Sequence, residues 1–297
     1  MFKLSTLTRR ASSVAVLALG LNLSVACAAP VKTLTFADFE DGVLSPNGWV
    51  VGSQNGATTT VSTDTPKNLK SSRGSLRSTY PIATGGVYAW AVYKIPANTN
   101  DIYMDFWAKM PGPKQGLKFL KVFGGNDGVG YSNTTFGLDY TGGDSGSMYQ
   151  VSFGDGSVKA NDTGSVINFD GTYPQWIGRS FGKAVVETPP NSRWKSAEWG
   201  VDWHHFKLHL KYNSGTTAEN EVADGEYYVE IDGKVYVNAK GLFNRHYSNL
   251  PIDRIEFLNW AQNGSQPFEI WFDDIRITTG GFLAPAAPMS PMLSPAK

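Results

Sequence analysis

The chain has 297 residues, with 26 basic and 26 acidic side chains and therefore no net formal charge. The first 29 residues hold three of the basic residues and none of the acidic ones, so the remainder carries a net charge of −3. A chain without a basic excess lacks the cationic surface that neutralises phosphates, which argues against a nucleic-acid partner. The 32 Gly, 9 Trp and 13 Tyr residues, with short alternating runs, favour an all-β protein.

Residues 1–29 have the pattern of a secretory signal peptide. Basic residues precede an apolar run from Val14 to Val25, and small residues follow it. The run is shorter than the roughly 20 residues that cross a bilayer, so no membrane span is expected. Cleavage after Ala28 or Ala29 would remove Cys27, the only cysteine, and leave a secreted chain, periplasmic or extracellular, without a disulfide. Lipid attachment at Cys27 is the alternative.

The first part of the mature chain reads as short strands between polar turns. Residues 36–51 hold a first strand and then a turn, and another strand is expected near 58–62. Strands are also predicted over 87–95 and 101–109. In the second of these, alternation gives two faces: Ile102, Met104, Phe106 and Ala108 on one, and Tyr103, Asp105, Trp107 and Lys109 on the other.

The later part of the chain continues this pattern up to residue 278. Residues 226–238 form a hairpin whose tight turn is Asp232–Gly233. The segment 170–200 is irregular and rich in Trp, as loops that line binding clefts often are. Further strands are predicted at 116–125, near 135–140 and 148–153, and at 201–212, 252–260 and 268–278.

About a dozen strands, with no helical period, repeat or second domain, indicate a single all-β domain. We predict a β-jelly-roll sandwich over residues 30–279, followed by a disordered Pro- and Ala-rich tail at 280–297. About 250 residues suffice for one domain to bury a stabilising core without disulfides. A monomer is expected.

Acidic residues cluster at the two ends of this predicted domain. Asp38, Glu40 and Asp41 stand near its start, and Asp273 and Asp274 interrupt the last strand. First and last strands are neighbours in many β-sandwiches, and Ca²⁺ takes six to eight hard oxygen ligands. These carboxylates predict a structural calcium ion that joins the two ends of the chain. The alternative is a set of solvated or hydrogen-bonded turn carboxylates.

A basic stripe runs along the segment 201–212. His205, Lys207, His209 and Lys211 alternate with apolar residues and therefore share one face of the strand. One interpretation is a face that binds sugar acids. The other is the exposed outer face of a sheet, a structural role.

The stretch Lys118-Phe-Leu-Lys-Val-Phe-Gly-Gly125 resembles the K-L-P-G-h-x-G-G segment of the concanavalin A-like jelly-roll polysaccharide lyases, which include alginate and glucuronan lyases. The Asp232–Gly233 hairpin and the terminal Asp273–Asp274 are similar as well, and the resemblance extends loosely over residues 85–278. It implies a jelly-roll fold and places Lys118 at the family's catalytic lysine. The alternative is an ordinary amphipathic strand with solvent-facing lysines.

β-Elimination in a polyuronate requires a base, an acid and a group that neutralises the carboxylate. The resemblance therefore predicts a lyase acting on an acidic, uronate-containing polysaccharide. The alternative is a non-catalytic carbohydrate-binding module of the same fold. The candidate residues are Lys118 or Lys121 as base, Tyr103, Tyr131 or Tyr140 as acid, and Arg245, His246 or Asn133 as partner of the carboxylate. Trp90 and Trp107 could stack on sugar rings, and Tyr103 and Asn133 are counted with them as substrate-binding residues.

Overall fold

The computed structural model describes residues 30–67, 69, 72–82, 86–110, 117–124, 132–138, 148–155, 165–168, 185–186, 201–215, 220, 222, 224–242, 251–262 and 267–284. These residues form strands and turns, and none of them is helical. Nor do these ranges contain a helix with the length and apolar character that crossing a membrane requires.

Sixteen strands occur in the described residues, more than the dozen expected. They are β1 (Lys32–Ala37), β2 (Val50–Gln54), β3 (Thr58–Ser62), β4 (Ser75–Tyr80), β5 (Gly86–Lys94), β6 (Asp101–Lys109), β7 (Leu117–Gly124), β8 (Ser132–Leu138), β9 (Met148–Asp155), β10 (Ser165–Asn168), β11 (Val185–Val186), β12 (His204–Lys211), β13 (Gly225–Ile231), β14 (Lys234–Leu242), β15 (Ile252–Gln262) and β16 (Phe268–Thr279).

These strands build two antiparallel sheets. The nine-stranded sheet has the order β11-β14-β13-β12-β6-β16-β4-β3, with β1 also paired to β16. The seven-stranded sheet has the order β10-β9-β8-β7-β15-β5-β2. Below, the inner face of each sheet is the one that packs on the other sheet, and the outer face is the opposite one. The predicted all-β jelly-roll sandwich is confirmed.

Strand β16 joins the two ends of the domain. One of its edges pairs with β6, and the other pairs with β4 over 268–272 and with β1 over 275–279. The first and last strands are therefore neighbours, as predicted. The register on β6 shifts between Asp273 and Arg276, and Asp274 has a φ of 51°. This bulge inserts an extra residue, which explains why two adjacent carboxylates can interrupt the apolar alternation.

The core lies between the inner faces, where aromatic rings join the sheets. Phe106 of β6 stacks on Phe206 at 5.2 Å between ring centroids and meets Phe257 of the seven-stranded sheet edge-on at 5.0 Å. Phe272 contacts both Phe106 and Phe257. The predicted inner face of β6 is fully buried, whereas its other side chains are half-buried. Alternation thus places the outward residues of β6 at the surface of the nine-stranded sheet.

The hairpin β13–β14 turns at Asp232 and Gly233, as predicted. Both residues have positive φ, 52° and 79°, the left-handed pair that a tight two-residue hairpin requires. Asp232 Oδ1 also accepts a hydrogen bond from the His205 N–H at 2.8 Å, so the turn is tied to the start of β12.

Ordered contacts extend beyond residue 279, where the domain was predicted to end. The Thr278 hydroxyl donates to the Gly281 carbonyl at 2.6 Å, and Phe282 packs edge-on against Tyr103 at 5.0 Å between ring centroids. The first residues of the predicted tail, 280–284, are thus among the described residues and contact the domain. One aromatic side chain in an otherwise Pro- and Ala-rich stretch holds this segment on the outer face of the nine-stranded sheet.

Candidate functional site

The outer face of the seven-stranded sheet carries the stretch that resembles the lyase motif. Strand β7 lies inside this sheet, between β8 and β15, and Leu120 and Val122 belong to the core. Lys121 and Phe123 alternate with them and therefore lie on the outer face. Lys121 is only 8% exposed there, and its Nζ lies 5.3 Å from the centre of the Phe123 ring.

Arg254 of β15 completes a basic cluster with Lys121, Phe123 and Glu256. The Arg254 guanidinium lies 4.2 Å from the centre of the Phe123 ring, and its Nε donates to Glu256 at 2.9 Å. The strand register places Glu256 beside Lys121 and Arg254 beside Phe123. Two cations thus share one aromatic ring, and two carboxylates, Glu256 and Asp253, fix the guanidinium, the latter at 3.2 Å. Cations held in this way are of the kind that form charge-assisted hydrogen bonds with an anionic group.

Lys118 and Asn133 belong to the same sheet as the basic cluster. The backbone of Lys118 pairs with Trp260 of β15 and with Gly137 of β8, and Asn133 pairs with Phe123. Their predicted roles remain predictions, since their side chains lie outside the described part of the structure. The same holds for four further candidates, which lie wholly outside the described residues: Tyr131, Tyr140, Arg245 and His246.

Trp90 also lies on this face, two strands away from β7. Its neighbours Ala89 and Ala91 are in the core, so its ring points outward. The ring covers Gly52 of the paired strand β2, and a Cβ at position 52 would lie 2.5 Å from a ring atom. The ring is half-buried against that glycine. Trp90 therefore shares the sheet of Lys121, as the prediction requires, and is held there by close backbone packing.

Tyr103 and Trp107 lie on the opposite side of the sandwich. Both are outward residues of β6 in the nine-stranded sheet, so the core separates them from Lys121. Tyr103 stacks on His209 at 4.1 Å between ring centroids. Burial raises the pKa of Tyr103 to about 12, and the charge of Asp101 adds to this rise. The structure does not bring these two aromatic residues together with Lys121 and Trp90.

A cleft of about 410 Å³ opens beside Trp107 on the outer face of the nine-stranded sheet. In its lining, Asp64 accepts hydrogen bonds from Trp203 Nε1 at 3.1 Å and from Lys109 Nζ at 2.5 Å. Burial raises the pKa of Asp64, but these hydrogen bonds and the charge of Lys109 outweigh it and hold the pKa below its usual value. Sequence reasoning missed Asp64 and Trp203 as site residues, because only the pairing of distant strands brings them together.

Four of the five predicted calcium ligands accept hydrogen bonds from donors of the protein. Buried Asp273 accepts a hydrogen bond from the Ser72 hydroxyl at 2.6 Å and from the Asp274 N–H at 2.7 Å. Glu40 receives the Arg73 N–H, with its two oxygens at 2.8 and 2.6 Å. Asp38 and Asp41 accept hydrogen bonds from N–H groups two residues along the chain. These hydrogen bonds are of the kind expected under the alternative to a calcium site, in which the carboxylates are hydrogen-bonded within the protein.

The same carboxylates influence one another electrostatically. Burial raises the pKa of Asp273 to about 7, and the charges of Asp274 and Glu40 add to the rise against the hydrogen bonds. Burial also raises the pKa of Asp274, with contributions from Asp38, Asp105 and Glu40. Among the described residues, no three His, Cys, Asp or Glu side chains are spaced to hold a metal ion. Calcium at this place remains a prediction.

The basic stripe of β12 consists of paired charges. His205 is hydrogen-bonded to Asp105 at 2.6 Å and His209 to Asp101 at 2.7 Å. The two lysines have carboxylate partners as well: Lys207 pairs with Glu230 at 3.8 Å, and Lys211 pairs with Asp224 at 3.3 Å. These partners favour the structural interpretation over a sugar-acid-binding face.

No family model matches the chain, and no curated protein matches it either. Among solved structures, it is similar to an endo-β-1,4-glucuronan lyase from the fungus Trichoderma reesei, at 13% identity over 84% of this chain and 96% of that one, with a TM-score of 0.46. An alginate lyase, vAL-1, from a Chlorella virus has 16% identity, coverage of 84% and 100%, and a TM-score of 0.47.

The cellulose-induced protein Cip1 is similar to the same extent, with 15% identity, coverage of 82% of this chain and 96% of that one, and a TM-score of 0.49. At these identities the likeness concerns the fold alone, and each named activity belongs to the protein that carries it. The jelly-roll lyases to which the motif pointed are thus among the solved structures that resemble this chain.

Proposed function

We propose that this chain is a secreted, monomeric lyase that cleaves an acidic, uronate-containing polysaccharide by β-elimination. The observation that carries the proposal is the basic cluster, in which Lys121 and Arg254 converge on Phe123 beside the lyase-like motif of β7. A polyuronate presents one carboxylate per sugar, and ammonium and guanidinium groups such as those of Lys121 and Arg254 form charge-assisted hydrogen bonds with carboxylates.

The reaction breaks the C–H bond next to the carboxylate and the C–O bond to the leaving sugar. The base takes the proton, the electrons of the C–H bond form a C=C bond, and the glycosidic oxygen leaves with the C–O electrons and is protonated by the acid. Negative charge develops on the carboxylate, which a nearby cation stabilises. In this proposal Lys118 or Lys121 is the base, and Arg254 holds the carboxylate.

The test uses the chain without residues 1–29 and a panel of alginate, polyglucuronate, pectate and glycosaminoglycans. We expect one polymer to yield the ultraviolet absorbance of an unsaturated uronic acid. Lys118→Ala or Lys121→Ala should lower kcat by at least about a hundredfold, the usual contribution of an acid or base. The matched control is Lys240→Ala, since that side chain is 62% exposed and pairs only weakly with Glu226 at 3.5 Å.

Two outcomes would redirect the assignment. Unchanged turnover in both lysine variants, with wild-type activity present, would remove these lysines from the reaction. If no polymer yields the absorbance but one is retained in an affinity gel, the chain is a non-catalytic carbohydrate-binding module instead.

A further inference from the structure

The cleft on the outer face of the nine-stranded sheet lies away from the basic cluster and has no part in the proposed elimination. It is bordered by Trp107 of β6, by Trp203 just before β12, and by Asp64 and Lys67 just after β3. Its volume of about 410 Å³ falls within the roughly 300–1,000 Å³ typical of small-molecule sites. Two indole rings and several hydrogen-bonding groups therefore surround one concave space.

Both indole rings are held in place before any ligand arrives. Trp203 donates its Nε1–H to Asp64, and Lys109 fixes the other oxygen of that carboxylate. Trp107 stacks on His205, with 4.8 Å between ring centroids, and Asp105 holds the imidazole by a hydrogen bond at 2.6 Å. Pre-organised side chains lose little entropy on binding, so these rings can serve as a rigid surface for a flat ligand.

The polar groups of the cleft still have hydrogen-bonding capacity. A carboxylate has about four acceptor positions and an ammonium group three donors, and the Asp64–Lys109–Trp203 contacts use only part of them. Aromatic rings next to such donors and acceptors match a pyranose, which presents apolar C–H groups on its faces and hydroxyl groups around its rim.

The charges of the lining indicate which kind of sugar fits. Lys109 is neutralised by Asp64 at 2.5 Å, and Lys67 and Asp202 carry opposite charges. The lining therefore offers no net positive charge for a uronate carboxylate. We propose that this cleft is a binding site for a neutral saccharide, separate from the face proposed to act on acidic polymers. The proposal does not depend on the lyase assignment.

The test measures binding of cellohexaose, xylohexaose and laminarihexaose, with uronate oligosaccharides for comparison, by isothermal titration. We expect at least one neutral hexasaccharide to bind the wild-type chain. Val201 lines the cleft and is 70% exposed, so Val201→Arg should obstruct the site without disturbing the core. We expect it to weaken binding by at least about tenfold, which corresponds to about 1.4 kcal/mol.

Two further variants test whether Val201→Arg weakens binding by obstructing the cleft and not merely by adding a charge to the protein. Trp203→Phe keeps an aromatic ring but loses the hydrogen bond to Asp64, and it should also weaken binding. The matched control is Val50→Arg, which adds the same charge at a 62% exposed position of the seven-stranded sheet and should leave the affinity unchanged. The proposal is overturned if no neutral hexasaccharide binds, if Val201→Arg binds as well as the wild type, or if only uronates bind.

Discussion

Asp273, beside the bulge in β16, is a fully buried carboxylate. Its folded-state pKa of about 7 exceeds the usual 3.8 chiefly because of burial, so the folded chain holds a proton that the unfolded chain releases. Stability must therefore fall as the pH rises from about 4 to about 7 and then level off. The total fall attributable to this group is on the order of a few kcal/mol.

We predict that Asp273→Asn removes this part of the pH dependence. The Asn amide can accept from the Asp274 N–H and donate to the Ser72 hydroxyl, so the hydrogen bonds of the wild type can be replaced. Urea unfolding at a series of pH values, in the presence of EDTA, gives the free energy of unfolding for both proteins. The difference in favour of the variant should grow between about pH 4 and pH 7. Parallel curves would contradict the assigned pKa.

Burial favours the protonated form of Asp273, whereas a bound calcium ion should favour the ionised form of the same carboxylates. If the ion binds at Asp38, Glu40, Asp41, Asp273 and Asp274, it favours their ionised forms, and binding to the folded state alone raises the melting temperature. We predict that millimolar calcium raises Tm relative to EDTA, and more so above pH 7 than at pH 5, because Asp273, whose pKa burial raises to about 7, must first lose its proton. Magnesium serves as the control cation. Equal melting temperatures in calcium and in EDTA would mean that calcium does not bind and stabilise the folded chain.

At the scale of elements, Gly74 shows how closely the loop before β4 approaches the end of β1. A Cβ at position 74 would overlap the backbone carbonyl of Phe39, which is itself buried and cannot move aside as a flexible side chain can. We predict that Gly74→Ala lowers the free energy of unfolding by about 1–3 kcal/mol, the usual cost of overpacking. Denaturant titration followed by tryptophan fluorescence measures it.

The control for Gly74→Ala is a glycine with space around it. A Cβ at Gly42 would have nothing within 4 Å, but the φ of this residue is 72°. Gly42→Ala should therefore cost only the strain of the left-handed conformation, about 1 kcal/mol. If Gly74→Ala proved no worse than Gly42→Ala, the close approach to Phe39 would not limit the packing of this loop.

The local alternation of apolar and polar residues, together with turn residues, was sufficient to predict several strands and turns and insufficient for others. The alternation of β6 predicted its bounds, 101–109, and both of its faces, because apolar residues at every second position of a strand lie on the face that is buried. Asp232–Gly233 predicted the hairpin, since few residues adopt positive φ. By contrast, β1 begins at Lys32 with two exposed residues, which give no alternation signal. The bulge at Asp274 interrupts the pattern of β16 and becomes visible only through its pairing with β6.

At the scale of the whole molecule, the sequence did not predict which of the two sheets each strand belongs to. Trp90 and Trp107 look alike as outward aromatics on neighbouring strands of the chain, yet β5 and β6 belong to different sheets. Contacts such as Ser72 with Asp273 join residues 201 positions apart. Pairing of this kind depends on the global arrangement of strands, so the predicted residues divide between two opposite faces of the sandwich.

The aromatic contacts between the sheets lead to a final prediction, for Phe106→Ala. Phe106 is fully buried and touches Phe206 and Phe272 in its own sheet and Phe257 in the other, so its removal leaves a cavity at the junction of the two sheets. We expect a loss of about 3–5 kcal/mol, as for other buried Phe→Ala changes. Urea unfolding, followed by far-ultraviolet circular dichroism and by tryptophan fluorescence, should give coincident transitions with a lower midpoint and an unchanged slope, because the sheets unfold together.

The control is Val50→Ala, at a 62% exposed position, which should change the free energy of unfolding by less than about 0.5 kcal/mol. Separate transitions for the two probes in Phe106→Ala would instead mean that each sheet is stable without the ring that joins them.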